Sequence, residues 1–330
     1  MKIILIGTSP AMLIEAILLR HEHKTAQIEI HDKNNLPGGS WRTTSFSKIK
    51  FIETGSHIFA PWKSRNLYNE CSNILKNKFR LKLYFLKPKP LNILNKNISK
   101  SELKKIDYYY IQGGAGRLLK LLLDIIKKKK IKIIYNSLIK QISIFDKKKK
   151  IQINKNYYFA DQVYIPHYCK INLNFFKENN NYILKESTHI IIKFSFNCDL
   201  KNKISYMQKV NFSKLFDRLS YLSDMNNLQD HIFCLRLSEL AKKKFKENKK
   251  LIVEKIKKDL IKFLEPKFQK KNNFKVHHKL IKYETSYRNK DQLKQLNFFA
   301  RKNKVKLVDT SEFIKYMSKN IHRLKALQKL

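Results

Sequence analysis

A chain of 330 residues with only seven glycines, all of them before residue 117, has few places where its backbone can turn without strain. Glycine usually makes up ~7% of a chain, so one this poor in it keeps glycine mainly where another residue is costly. The seven fall in four short segments: Gly7, Gly38-Gly39, Gly55, and Gly113-Gly114 with Gly116. The first segment is the most telling. Residues 2–6, KIILI, are a short apolar run suited to a buried parallel strand, and Gly7 ends it. Ser9 can cap a helix and Pro10 fits its first turn, after which Met12, Leu13, Ala16, Ile17 and Leu19 give an apolar face. Set against the pattern G-x-G-x-x-G, the three positions are Gly7, Ser9 and Met12. Gly7 keeps the tight turn. Ser9 is the smallest hydroxyl alternative where a backbone must approach a pyrophosphate, and it can itself donate to phosphate. Met12 crowds a position that favours close helix–strand packing. A plain strand–helix unit accounts for the same residues.

The next segments narrow the choice. Residues 26–30 alternate like a second strand, and Asp32 follows near the spacing at which an acid takes a ribose hydroxyl. Gly38-Gly39 comes next, followed by Ser40, Trp41 and Arg42. A glycine pair lets backbone N–H groups face a phosphate, and Arg42 adds charge. A surface turn alone explains the pair, but not the order of acid, pair and arginine.

In combination these residues resemble the flavin-dependent amine oxidase superfamily, which includes protoporphyrinogen oxidases, phytoene desaturases and UDP-galactopyranose mutases. Asp32 and GGSWRT match its acid and its Gly-Gly motif. FIETGSHIF, with Gly55 and His57, is similar to the following segment that passes the flavin. YIQGGAGRLLKLLLDII resembles the internal glycine-pair turn from strand to helix. IKIIYNSLIKQISIF resembles the strand pair whose backbone, here at Leu138 and Ile139, holds the adenine, and FADQVYIPHY the strand that returns the chain to the flavin domain. Ser9 and Met12 depart from the family pattern. The closing strand and helix have their nearest counterpart in VKLVDTSEFIKYMSKNIHRL, which lacks the family glycine. There residues 305–308 suit a strand, and Thr310 or Ser311 can cap a helix through about residue 322.

The resemblance implies an α/β fold: a Rossmann-like FAD-binding domain of the glutathione-reductase type with an inserted α+β substrate domain. It implies FAD-binding parts at 1–60, 105–170 and 296–330, and substrate parts at 61–104 and 171–295. The expected cofactor is FAD. Its contacts are expected from Gly7, Ser9, Pro10, Ala11, Asp32, Gly38, Gly39, Ser40, Trp41, Arg42, Gly55, Leu138, Ile139, Asp309 and Thr310. His57 is the candidate catalytic residue. In the substrate half, THIIIKFSFN and HIFCLRLS read as strands, and KKLIVEKIKKDLIKFLEPKF as a helix stopped by Pro266. Arginine is scarce beside lysine, so Arg218, Arg236 and Arg288, with Tyr287, are the candidate substrate contacts, a planar fork being suited to carboxylate or diphosphate. The implied reaction is an FAD-dependent oxidation of a small anionic or polyhydroxylated molecule. A redox-neutral, mutase-like reaction on a nucleotide sugar and a non-catalytic relative that binds nucleic acid or another anionic partner are the alternatives.

Composition bounds the rest. The formal net charge is +44. It has two readings: a polyanionic partner, or the compositional bias that also enriches Asn and Ile. The lysines are spread along the whole chain, which argues against a nucleic-acid partner. No apolar run is long enough for a membrane span. Glu15 interrupts the N-terminal apolar stretch and no small-residue cleavage site follows, so the expected location is cytoplasmic. Cys71, Cys169, Cys198 and Cys234 lie far apart and read as reduced thiols, and no metal-ligand spacing is present.

Overall fold

The computed structural model describes residues 1–46, 49–53, 65–81, 83–86, 108–111, 114–167, 183–195, 207–209, 213–221, 231–264, 275–287, 290–310 and 313–327. The chain opens with β1 (Lys2–Ile6), α1 (Pro10–Glu22) and β2 (Gln27–His31), then a single 3-10 turn at Gly39–Trp41. A hairpin follows, β3 (Thr43–Phe46) with β4 (Ile49–Glu53), then α2 (Arg65–Phe79) and a second pair, β5 (Leu83–Leu86) with β6 (Tyr108–Ile111). Next come α3 (Gly114–Lys128), β7 (Lys132–Ile134), the meander β8 (Ile139–Phe145), β9 (Lys148–Ile153) and β10 (Asn156–Ala160), and β11 (Gln162–Pro166). A second group contains β12 (Ile183–Ser195), β13 (Met207–Lys209), β14 (Phe216–Tyr221), β15 (His231–Leu237), α4 (Glu239–Glu247), α5 (Lys249–Leu264) and β16 (Lys275–Tyr287). The chain closes with α6 (Lys290–Lys302), β17 (Lys306–Val308), α7 (Phe313–Lys319) and α8 (Ile321–Ala326).

One parallel sheet organises the fold, in the order β17-β11-β1-β2-β7. β1 lies in the middle because it is apolar on both faces, and both faces are covered. Ile3 and Leu5, with Ile28 and Ile30 of β2, face α1, α3 and α7. Ile4 and Ile6, with Val163 and Ile165 of β11, face the meander and α6. The expected apolar stripe on α1 widens into burial of every residue from Pro10 to Leu19, because the helix is packed by the sheet on one side and by α3 and α7 on others. Met12 meets its crowded position by turning its thioether chain into this core.

Burial of α1 includes Glu15, whose charge is matched from the far end of the chain. Arg323 of α8 donates to Glu15 Oε1 from Nη2 and to Oε2 from Nη1, each at 3.0 Å. It also donates to both Glu22 carboxylate oxygens and, from Nη1, to Asn320 Oδ1. All five guanidinium N–H groups are thereby placed. The Tyr316 hydroxyl adds a 2.5 Å bond to Glu15 Oε2, and burial with the neighbouring carboxylate pushes its own pKa well up.

The second large sheet is antiparallel, β13-β14-β15-β12-β16, and one of its faces is covered by α4 and α5. Its segment of chain lies between β11 and β17, which are neighbours in the parallel sheet. The expected strands around 188–197 and 231–238 are β12 and β15, and the expected amphipathic helix ahead of Pro266 is α5. The closing helix differs from expectation: it breaks at Asn320, whose backbone leaves helical geometry before α8 starts. Among the described residues no helix is long and apolar enough to cross a membrane. Cys71 and Cys234 are buried, and burial pushes the Cys71 thiol up to about 11; Cys169 and Cys198 lie outside the described residues.

Candidate cofactor site

In an open parallel sheet the crevice at the carboxyl ends of the strands is where ligands bind. Here those ends carry Gly7-Thr8-Ser9 after β1, Asp32 after β2, His167 after β11 and Asp309 after β17. Gly7 has φ +90°, and its N–H reaches His31 O at 2.7 Å. A Cβ at Gly7 would meet only Pro166 Cγ at 3.9 Å, so conformation and not space requires glycine there.

Thr8, absent from the sequence expectations, closes the site. It is fully buried, and its backbone N and its Oγ1 both donate to Asp32 Oδ2, at 2.9 and 2.5 Å. Its Oγ1 accepts from Gly38 N at 2.9 Å. Asp32 Oδ1 accepts from the backbone and the side-chain amide of Asn34, at 2.8 and 2.9 Å. The acid therefore ties the turn after β1 to the glycine pair through one hydroxyl, with its four acceptor positions taken by this chain's own donors. Oδ2 is held inside by Thr8. Asn34, half-buried, lies on the outer side.

The glycine pair needs to be a glycine pair. Gly38 has φ +110°, and a Cβ there would come within 2.8 Å of Leu119 Cδ2 and 2.9 Å of Arg42 N. Gly39 has φ +58° and would bring a Cβ to 3.6 Å from Ser9 Cβ, so the pair lies against the start of α1. Ser9 stands at the N-cap of α1, yet its hydroxyl makes no capping bond; Oγ is buried without a partner among the described residues. The first turn of α1 holds no acid. A helix N-terminus with an idle hydroxyl, no acid and two left-handed glycines alongside is suited to an anion. Trp41 packs on Phe313 of α7 at 5.3 Å between ring centroids, and Arg42 and Thr43 follow it. Pro10 and Ala11 are buried in the first turn; nothing is described of the Ser40 side chain.

The other expected contacts divide. Leu138 is exposed; its N–H donates to Asn154 Oδ1 at 3.0 Å and its carbonyl accepts from Asn154 N at 2.8 Å. Ile139 is buried and pairs with Ile153. Asp309 has Oδ2 2.9 Å from Lys319 Nζ and Oδ1 3.6 Å from His167 Nδ1, so side chains from the ends of β11 and β17 meet there; Thr310 is half-buried beside it. Arg218 and Arg236 are brought directly opposite each other on β14 and β15, on the face turned away from α4 and α5. Arg236 Nε also holds Asp217 at 2.6 Å. Tyr287 ends β16 opposite Ile183, and its side chain is not described. Gly55, His57 and Arg288 lie outside the described residues. β16 runs close to the Gly39–Trp41 turn, so the second sheet meets the crevice there.

Beneath the site, His31 is wholly buried, with neither ring nitrogen hydrogen-bonded among the described residues and Nε2 3.5 Å from Glu29 Oε2. Burial holds its pKa below the ordinary value, although Glu29 pulls the other way. Burial alone would raise Glu29, but Lys2 at 3.1 Å, together with His31, holds it down.

By sequence, no protein-family model and no curated protein matches this chain. By structure, it superposes on putrescine oxidase with a TM-score of 0.63 at 9% identity, covering 99% of this chain and 100% of the other. A protein from an Exiguobacterium species assigned as a protoporphyrinogen oxidase gives a TM-score of 0.60 at 10% identity, covering 99% of both chains. An oxidoreductase from Methanosarcina mazei gives 0.54 at 11%, covering 86% of this chain and 88% of that one. At these identities the likeness is one of fold, and with two of the three it extends over 99% of this chain.

Proposed function

We propose that this protein is an FAD-dependent oxidoreductase of the amine-oxidase type, acting on a small anionic or polyhydroxylated molecule. The observation that carries the reading is the uncapped start of α1, with its idle Ser9 hydroxyl, locked through Thr8 and Asp32 to Gly38-Gly39. The residues present fit a dinucleotide. The pyrophosphate would be held by residues 7–11 and by the turn from Gly38 to Arg42. The ribose would meet Asp32 on its Oδ1 side, in competition with Asn34, while Thr8 keeps Oδ2. Leu138 and Ile139 would border the adenine, and Asp309 and Thr310 would lie at the far end of the cofactor.

Bound FAD supplies two-electron redox chemistry. The protein's part is to bind, orient and exclude water. In this reading segments 1–60, 105–170 and 296–330 form the cofactor domain, and 61–104 and 171–295 the substrate domain. Arg218 and Arg236 present two guanidinium forks on one sheet face for an anionic substrate; Tyr287 and Arg288 remain candidate substrate contacts and His57 the candidate catalytic residue.

Calorimetric titration of the purified protein with FAD tests this directly, alongside the absorbance of the isolated protein. Wild-type protein should bind FAD, and Asp32→Ala should weaken binding by about 1–3 kcal/mol. The same variant should melt earlier without FAD, because four internal hydrogen bonds go with the carboxylate. Wild-type protein that takes up no FAD from an excess would sink the proposal.

A further inference from the structure

A separate observation, independent of the flavin reading, lies on the meander β8–β10. Its inner face packs Ile142, Ile151 and Ile153 against the parallel sheet. By strand alternation its outer face carries Phe145, Lys148, Lys150, Tyr157 and Phe159. The register sets Phe145 opposite Lys148 and Phe159 opposite Lys150. The three rings stand in water, with exposures of 57% for Phe145, 54% for Tyr157 and 43% for Phe159. The Phe145 and Phe159 centroids lie 5.9 Å apart, and Lys150 Nζ sits 5.4 Å from the Phe145 ring and 4.3 Å from the Tyr157 ring.

Exposed aromatic residues gathered on one sheet face mark a contact surface. The charge around them selects the partner. Residues 139–160 hold six lysines and one acid, Asp146, which lies in the turn after β8. Gln141, Ser143 and Gln152 share the outer face and offer donors and acceptors between the rings. We propose that this face binds single-stranded nucleic acid, with bases stacked on Phe145, Tyr157 and Phe159 and phosphates met by Lys148, Lys150 and Lys155. Rings on a flat sheet with interleaved lysines form a stacking platform that needs unstacked bases, so a duplex does not fit it. An inserting membrane surface would present contiguous apolar side chains; here each ring is flanked by a lysine or an amide. The lysines are spread along the chain, as the sequence shows, but the hairpin register gathers these rings over Lys150.

Fluorescence anisotropy with a labelled oligo(dT) and a duplex of equal length, on the full chain, tests the proposal. The single strand should bind more tightly than the duplex, and more weakly as salt rises. Tyr157→Ala with Phe159→Ala should weaken oligo(dT) binding about tenfold or more, and Lys150→Glu should also weaken it. Lys243→Glu with Lys244→Glu, on α4, changes the net charge further and should leave it within about twofold. Circular dichroism checks that each variant folds. The proposal is overturned if duplex and single strand bind alike, or if the α4 variant loses as much as the platform variants. It is equally overturned if the platform variants lose only binding to phosphatidylserine vesicles.

Discussion

Replacing Arg323 with methionine should unlock the first helix from the last. The substitution keeps much of the volume and removes five hydrogen bonds, two to Glu15, two to Glu22 and one to Asn320. Glu22 is half-exposed and regains water. Glu15 is not: its side chain is 6% exposed, and among the described residues only the Tyr316 hydroxyl remains to it. Breaking a buried pair from one side costs about 3–5 kcal/mol, because the orphaned charge stays buried. Unfolding entropy near 2.1 cal/mol/K per residue gives about 0.7 kcal/mol/K for a chain of this length, so the melting midpoint should fall by about 4–7 °C. Scanning calorimetry at neutral pH reads this. Glu15→Gln in the same background should recover part of the loss, since the amide carries no charge to strand. A midpoint within about 1 °C of wild type would refute the reasoning and mean that water already reaches Glu15.

Two further outcomes follow from the crevice and the strand beneath it. Gly38→Ala places a Cβ 2.8 Å from Leu119 at φ +110°, whereas at Gly7 the nearest atom is 3.9 Å away; both strain the backbone, so Gly38→Ala should be the more destabilising in urea melts, by about 1–3 kcal/mol in total, and the reverse order would contradict the geometry. His31 is held below its ordinary value of 6.5 by burial, so the unfolded chain binds the proton first. The stability that the neutral ring provides is full above about pH 6.5 and is lost as pH falls through the lower folded-state value. The urea midpoint should therefore drop on acidification, less steeply in His31→Leu, and identical slopes in the two proteins would count against a buried neutral imidazole.

The sequence makes β1, the turn at Gly7, α1 and β2 legible, because an apolar run, a glycine and Pro10 are local signals. It also places Asp32 at a strand end. What it does not disclose is that Thr8 takes the acid's inner oxygen: a threonine between Gly7 and Ser9 looks like filler until the glycine pair arrives 30 residues later. Burial of α1 on all sides, and not along one stripe, depends on helices from distant parts of the chain. Arg323 carries no local signal at all, since its partner Glu15 is 308 residues away. The break at Asn320 has no local signal either; Arg323, three residues on, bonds both Asn320 and Glu15. Arg218 and Arg236 are 18 residues apart in the chain, and only strand pairing sets them side by side.

The same long-range closure has a meaning for biosynthesis. β1 is flanked by β2, made at once, and by β11, made after residue 161, while the charge within α1 waits for residue 323. At about 5–20 residues per second, a ribosome takes roughly 15–60 s to travel that distance. Over that time the partners of β1 and α1 arrive in steps, first β2, then α3 and β11, and last the helices after β17. The last two helices are thus the step that commits the earliest-made part of the chain to its final packing.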